Sequence, residues 1–112
     1  MNIIKINNAD SSQNPHNVDA RKIYDTKNAQ VTHLTLNPGE SLKRHITPVD
    51  VFFYVLEGKG IVEIGDEKKE VVSDTLIDSP KKILHCWYNE SNDILRILVV
   101  KVPKPMESTK IL

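Results

Sequence analysis

Residues 51–56 read Val-Phe-Phe-Tyr-Val-Leu, and this run is apolar at every position. Side chains of an extended chain alternate between two faces. Val51, Phe53 and Val55 therefore share one face, and Phe52, Tyr54 and Leu56 share the other. A strand with one solvated face alternates apolar with polar residues, whereas one that is apolar on both must be covered on both. Burying a Phe or Leu side chain contributes about 1.5–3 kcal/mol. Leaving three such residues wet would use up much of a net stability of about 5–15 kcal/mol. The run therefore predicts a barrel interior on one side. On the other it predicts a second sheet, a loop or a second copy of the chain, and a homodimer is the expectation.

The rest of the chain supplies partners for such a strand. Leu34 and Leu36 alternate with His33 and Thr35, the period-two signature of a half-buried strand. Asn37-Pro38-Gly39-Glu40 has the residue order of a type II turn. "IVEI" and "KEVV" flank Gly65-Asp66 as a hairpin, and "DTLIDS", "ILHCWYN" and "ILRILVVKV" read as further strands. A short strand is expected at Ile3 to Ile6, a polar loop over 7–17, and strands within 18–25 and 30–36. Eight to ten short strands with frequent turns, and no long amphipathic helical pattern, predict an all-β sandwich or barrel. Residues 1–29 are read as N-terminal strands and a loop of the same domain, 30–103 as its core, and 104–112, with two prolines, as a tail that leaves the sheet.

The totals exclude several classes. A chain of 112 residues, 39% hydrophobic and 27% charged, suits one globular domain. Fifteen basic residues balance fifteen acidic ones, so charge argues for neither nucleic acid nor membrane as a partner. Lys101, Lys104 and Lys110 read as scattered charges near the end. The single cysteine, Cys86, permits no internal disulfide, and no run resembles a signal peptide or a membrane span. A cytoplasmic address is the expectation.

Two spaced motifs narrow the fold. Gly39, five residues and His45 are followed by Thr47, Val51 and, six residues later, Gly58. Asp74, five residues and Pro80 are followed by Lys82, His85 and Asn89. Over about residues 30–103 the chain resembles the cupins. Their first motif is Gly, five residues, His-x-His, three or four residues, Glu, six residues, Gly. Their second is Gly, five residues, Pro-x-Gly, two residues, His, three residues, Asn. Gly39, His45, Gly58, Pro80, His85 and Asn89 match in register. The resemblance implies a double-stranded β-helix, the jelly-roll-like cupin barrel.

The resemblance also implies a divalent metal (Fe, Mn, Ni or Zn) on three His and one Glu. Here only His45 and His85 remain from that set. Thr47 offers a neutral hydroxyl and Val51 no donor, so any metal would be weakly held. No other residue replaces the lost carboxylate. Asp50 points to the opposite face from Val51, and Glu57 lies about 20 Å farther along the strand. The expected pocket is lined by His45, Thr47, Val51, Phe53, His85 and Trp87, an apolar cavity with a few polar groups suited to a small molecule. Two function classes follow. One is a binding module with a degenerate metal site. The other is an enzyme, either a weakly metal-dependent one such as a dioxygenase or a metal-independent isomerase or epimerase. In the last case His45 or His85 would serve as general base, and a supporting carboxylate would be needed. Of the remaining residues, His16 is read as a solvated loop side chain and His33 as surface or interface. Cys86 is read as an inert buried thiol and Trp87 as core or pocket wall. Lys81-Lys82 is either a solvated turn or a cationic rim for an anionic ligand.

Overall fold

The run at 51–56 lies in strand β4 (Asp50–Glu57), which pairs with β9 (Leu95–Val102) on one side and β7 (Leu76–Ser79) on the other. This computed structural model describes residues 1–112. Beyond β9 lie β2 (Gln30–Leu36) and β1 (Asp19–Asp25), completing a five-stranded sheet in the order β1-β2-β9-β4-β7. The second sheet consists of β3 (His45–Ile46), β5 (Lys59–Ile64), β6 (Glu67–Val72), β8 (Leu84–Tyr88) and β10 (Lys110–Ile111), in the order β10-β3-β8-β5-β6. Every ladder is antiparallel. The two sheets face each other as the all-β double-stranded β-helix that the sequence predicts. No helix is long and apolar enough to cross a membrane.

Val51, Phe53 and Val55 are 2%, 1% and 0% exposed, so their parity does face the interior. Leu36, Leu95, Ile97 and Trp87 complete the densest part of that core, and none of the four is exposed. The opposite parity, Phe52, Tyr54 and Leu56, is half-buried in the single chain. Register places Phe52 beside Val100, and Tyr54 between Leu98 and Leu76, on the same outer face.

Three expectations need correction. No strand forms at Ile3 to Ile6. A 3-10 turn spans Ile6–Asn8, and Ile3 and Ile4 are exposed. The Arg21 guanidinium instead anchors this segment by donating to the Ile6 and Ala9 carbonyls. The end of the tail does not leave the sheet. Lys110–Ile111 pairs with His45–Ile46, and the Leu112 amide donates to the Arg44 carbonyl, which satisfies an edge of β3 that would otherwise be unpaired. His33 faces outward as its parity requires, yet it is only 2% exposed, because the Arg96 side chain covers it and donates to its Nε2 at 3.1 Å.

The motif glycines hold backbone geometry. Gly39 has φ 88° in its turn, and the Glu40 amide donates to the Asn37 carbonyl, as a type II turn requires. Gly58 has φ 86°, and a Cβ there would lie 2.3 Å from the Ile94 carbonyl oxygen. Asp74 and Lys82 stand where the cupin motif has glycine, and both keep a left-handed φ of 63°. These positions carry the loop path whatever residue occupies them. Gly58→Ala is expected to destabilise by about 2–4 kcal/mol in urea unfolding, through strain and the carbonyl clash. Lys82→Gly, at an exposed site, should stabilise by about 0.5–1 kcal/mol.

Candidate functional site

The register of β9 with its two neighbours builds the mouth of the barrel. Lys101 is opposite Gln30 on β2 and Val51 on β4, and Val51 is opposite Ser79 on β7. One inward-facing row therefore reads Gln30, Lys101, Val51, Ser79. The next row inward reads Thr32, Val99, Phe53, Ile77. On the facing sheet His45 and His85 are direct register partners on β3 and β8. Polar groups thus ring the mouth, and apolar ones form the floor.

A cavity of about 270 Å³ opens there. His45, Thr47, Phe53 and His85 line it, four of the six residues expected from sequence. Val51 and Trp87 do not line it. They pack in the core, with Trp87 edge-on to Phe53 at 5.4 Å between ring centroids. The strand parities are as expected, but Trp87 sits deeper than the mouth and Val51 is too short to reach past its neighbours.

Sequence reasoning missed several contributors, His16, Lys101 and Ser79 among them. His16 is no solvated loop residue. Its Nδ1 accepts the Lys43 amide at 2.8 Å, and its ring lies 4.7 Å from that of His45. Lys101 was readable, because it shares parity with Leu95, Ile97 and Val99 and so must point inward. Ser79 shares parity with the inward-facing Ile77 in the same way. His16 carried no such signal, since a long loop brings it home. Thr109 and Ile111 of the tail form the last part of the wall.

The three imidazoles are held in defined states. Lys43 binds two of them through one peptide unit each way: its amide donates to His16, and its carbonyl accepts from His45 Nδ1 at 2.6 Å. That leaves His45 Nε2 as an acceptor and His16 Nε2–H as a donor. The His85 ring bonds the Ser79 hydroxyl through Nδ1 at 2.7 Å and the Thr47 hydroxyl through Nε2 at 3.1 Å. Its centroid is 4.4 Å from that of His45. Burial pushes His85 down to about 3, reinforced by the repulsion that an imidazolium there would meet from a protonated His45 and from Lys101. Burial likewise lowers His16 to about 4, and it lowers His45. All three are neutral at pH 7.

The other polar clusters lie elsewhere. Asp50 accepts from the Lys81 amide, and Glu57 pairs with Arg96, so neither carboxylate enters the barrel. Cys86 is fully buried on the outer side of β8, hydrogen-bonded to Tyr88 and Glu63, and burial pushes its thiol up to about 11. A thiol so protonated is a poor nucleophile.

Residues 32–101, more than half the chain, match the family model of the cupin domain. The chain belongs to the cupin family. It is 31% identical over 113 aligned positions to the uncharacterised protein MJ1618 of Methanocaldococcus jannaschii, covering 84% of this chain and 90% of that one. YrkC of Bacillus subtilis, also uncharacterised, is 29% identical over 90% of this cupin, which spans only 56% of YrkC. Among solved structures, TT1209 of Thermus thermophilus superposes with a TM-score of 0.80 at 25% identity, over 94% of this chain and 100% of that one. The polyketide cyclase RemF of Streptomyces resistomycificus superposes with 0.85 at 20% identity, over 100% and 85%. A predicted oxalate decarboxylase of Thermotoga maritima does so with 0.80 at 16%, over 91% and 99%.

Cupins often hold a metal, but the donors of this cupin do not fit one. Both His85 nitrogens are engaged by hydroxyls, and the Nδ1 of His45 is spent on a carbonyl. Val51 has no donor, and the strand residue opposite it is Lys101, whose ammonium repels a cation. No three His, Cys, Asp or Glu side chains are placed to share an ion.

The lowered histidines make stability depend on pH. Their folded pKa lies below the unfolded value of about 6.5, so the unfolded chain binds protons first as pH falls. Stability should hold above about pH 6.5 and decline steadily toward pH 4, where His16 protonates, and pH 3, where His85 does. Urea unfolding across this range should show a loss of several kcal/mol, and His85→Gln should remove the His85 share of the slope while leaving that of His16 and His45.

Proposed function

We propose that this cupin binds a small molecule at the mouth of its barrel, through hydrogen bonds to fixed imidazoles and not through a metal ion. The observation that carries this is the cavity itself, in which His16, His45 and His85 converge above an apolar floor of Leu34, Phe53 and Val99. Such a combination of shape and sparse polar groups is typical of ligand sites. His45 Nε2 offers an acceptor and His16 Nε2–H a donor, so a ligand with a hydroxyl or amide edge satisfies both.

The enzymatic alternative is less well supported. A His base gains strength from a carboxylate behind it, and His85 has the Ser79 hydroxyl there instead. The cyclase and decarboxylase activities named for the structural neighbours belong to those proteins, whose likeness to this chain is one of fold. A fragment library screened by ligand-observed NMR should yield binders that Thr32→Trp abolishes, since Thr32 lines the cavity on β2 and the indole would fill it. Binders that compete with one another yet survive Thr32→Trp would place the site elsewhere.

We also infer a homodimer formed through the outer face of the first sheet. Phe52, Tyr54, Leu76, Leu98 and Val100 are neighbours there by register, and an apolar patch of this kind is characteristic of an interface. Light scattering at micromolar concentration should give twice the chain mass, falling to the chain mass in Leu98→Glu.

A further inference from the structure

We propose that the ligand is an organic anion, a carboxylate anchored by the ammonium group of Lys101. This rests on the reading of the mouth as a small-molecule site and adds the class of molecule it selects. Among the cavity's lining residues are two lysines, Lys22 and Lys101, and three histidines, but no Asp or Glu. A cavity walled by cations and neutral dipoles favours negative charge. Lys101 forms no ion pair and no side-chain hydrogen bond.

The surrounding charges leave that ammonium uncompensated. Lys22 is the other cation, and its own contact with Asp25 is loose, at 3.9 Å. Asp25, at the rim, is instead engaged by Lys104 at 2.9 Å and accepts from Gln30 at 3.5 Å. The imidazoles are neutral and carry no countercharge. Burial and the proximity of Lys22 both weigh on the Lys101 proton and lower its pKa. A half-buried, unpaired ammonium is costly for a fold to keep, and a carboxylate ligand would supply the missing partner.

Its position explains the missing metal donors. In the strand ladder Lys101 faces Val51, the position where the cupin motif has its carboxylate. This chain therefore combines the loss of a negative ligand with a positive side chain directly across. The ammonium takes over the role of fixed cation at the mouth. A carboxylate bound to it would lay its carbon skeleton over Phe53 and Val99, the next row inward. His16 Nε2–H remains to donate to the second carboxylate oxygen.

The experiment compares carboxylates with their primary amides, for example hexanoate with hexanamide and benzoate with benzamide, by isothermal titration against the full chain. At least one acid should bind about ten- to hundredfold more tightly than its amide, the range expected for a charge-assisted hydrogen bond. Lys101→Met should reduce the acid to the level of the amide. It should also raise the melting temperature of the free protein by about 2–6 °C, because an unpaired charge is replaced by an apolar side chain of similar length. A purely structural lysine would instead give a lower melting temperature. Acid and amide binding equally, with Lys101→Met without effect and Thr32→Trp abolishing both, would overturn the anion while leaving the small-molecule site intact. If no acid and no amide binds the full chain, both readings fall.

Discussion

β9 lies between β2 and β4, and the register it keeps with both decides which side chains meet inside the barrel. Because one step of slip would turn every inward residue outward, this pairing is strongly specified by the apolar parities of the two strands. Ile97 beside Val55, and Val99 beside Phe53, lock it in the core. With those pairs fixed, Lys101 can only stand between Gln30 and Val51. Ser79 follows on β7, and its hydroxyl reaches across to His85 on the facing sheet. The chemistry of the mouth is thus a consequence of packing several residues deeper.

The cupin motif in this chain has two separable parts. One part is backbone geometry: Gly39 and Gly58, with Asp74 and Lys82 bent to the same left-handed conformation at other motif positions. The other part is the donor set, from which two imidazoles survive, now hydrogen-bonded to a carbonyl and two hydroxyls. A fold tolerates the loss of donors because they contribute little to the core. It does not tolerate loss of the loop path, since each left-handed turn sets the register of the strands on either side. The frame of a metal site can therefore outlast the site.

Much of this was legible in the sequence because strands obey a strict period of two. The parity of 51–56, the inward-facing His85 and Trp87 and the hairpin at Gly65-Asp66 all follow from alternation and turn chemistry. The same rule applies to Lys101 and Ser79, although the sequence reading places neither inside and takes the lysine as one of several scattered charges. What alternation cannot supply is depth along a strand. Trp87 and Val51 face inward, but whether they reach the cavity depends on neighbours from other strands. Nor can it locate residues brought in by loops. His16 arrives through a polar segment whose path is fixed by Asn14, which bonds the Val18 carbonyl and the His16 amide, and by the single amide of Lys43. The tail departs from its sequence expectation for a related reason. Its prolines argue against a long strand, but two residues suffice to complete an unpaired edge.

The covering of His33 by Arg96 has a consequence for the molecule as an electrolyte. Burial and the adjacent guanidinium lower the pKa of that ring too, as burial does for His16, His45 and His85. His16 and His85, lowered to about 4 and about 3, are therefore uncharged where histidine ordinarily buffers, between about pH 5 and 8. A count of histidines would credit this protein with a strong response to mild acidification. Two of the four take no part in that response, so surface charge and electrophoretic mobility change less across that interval than the count implies.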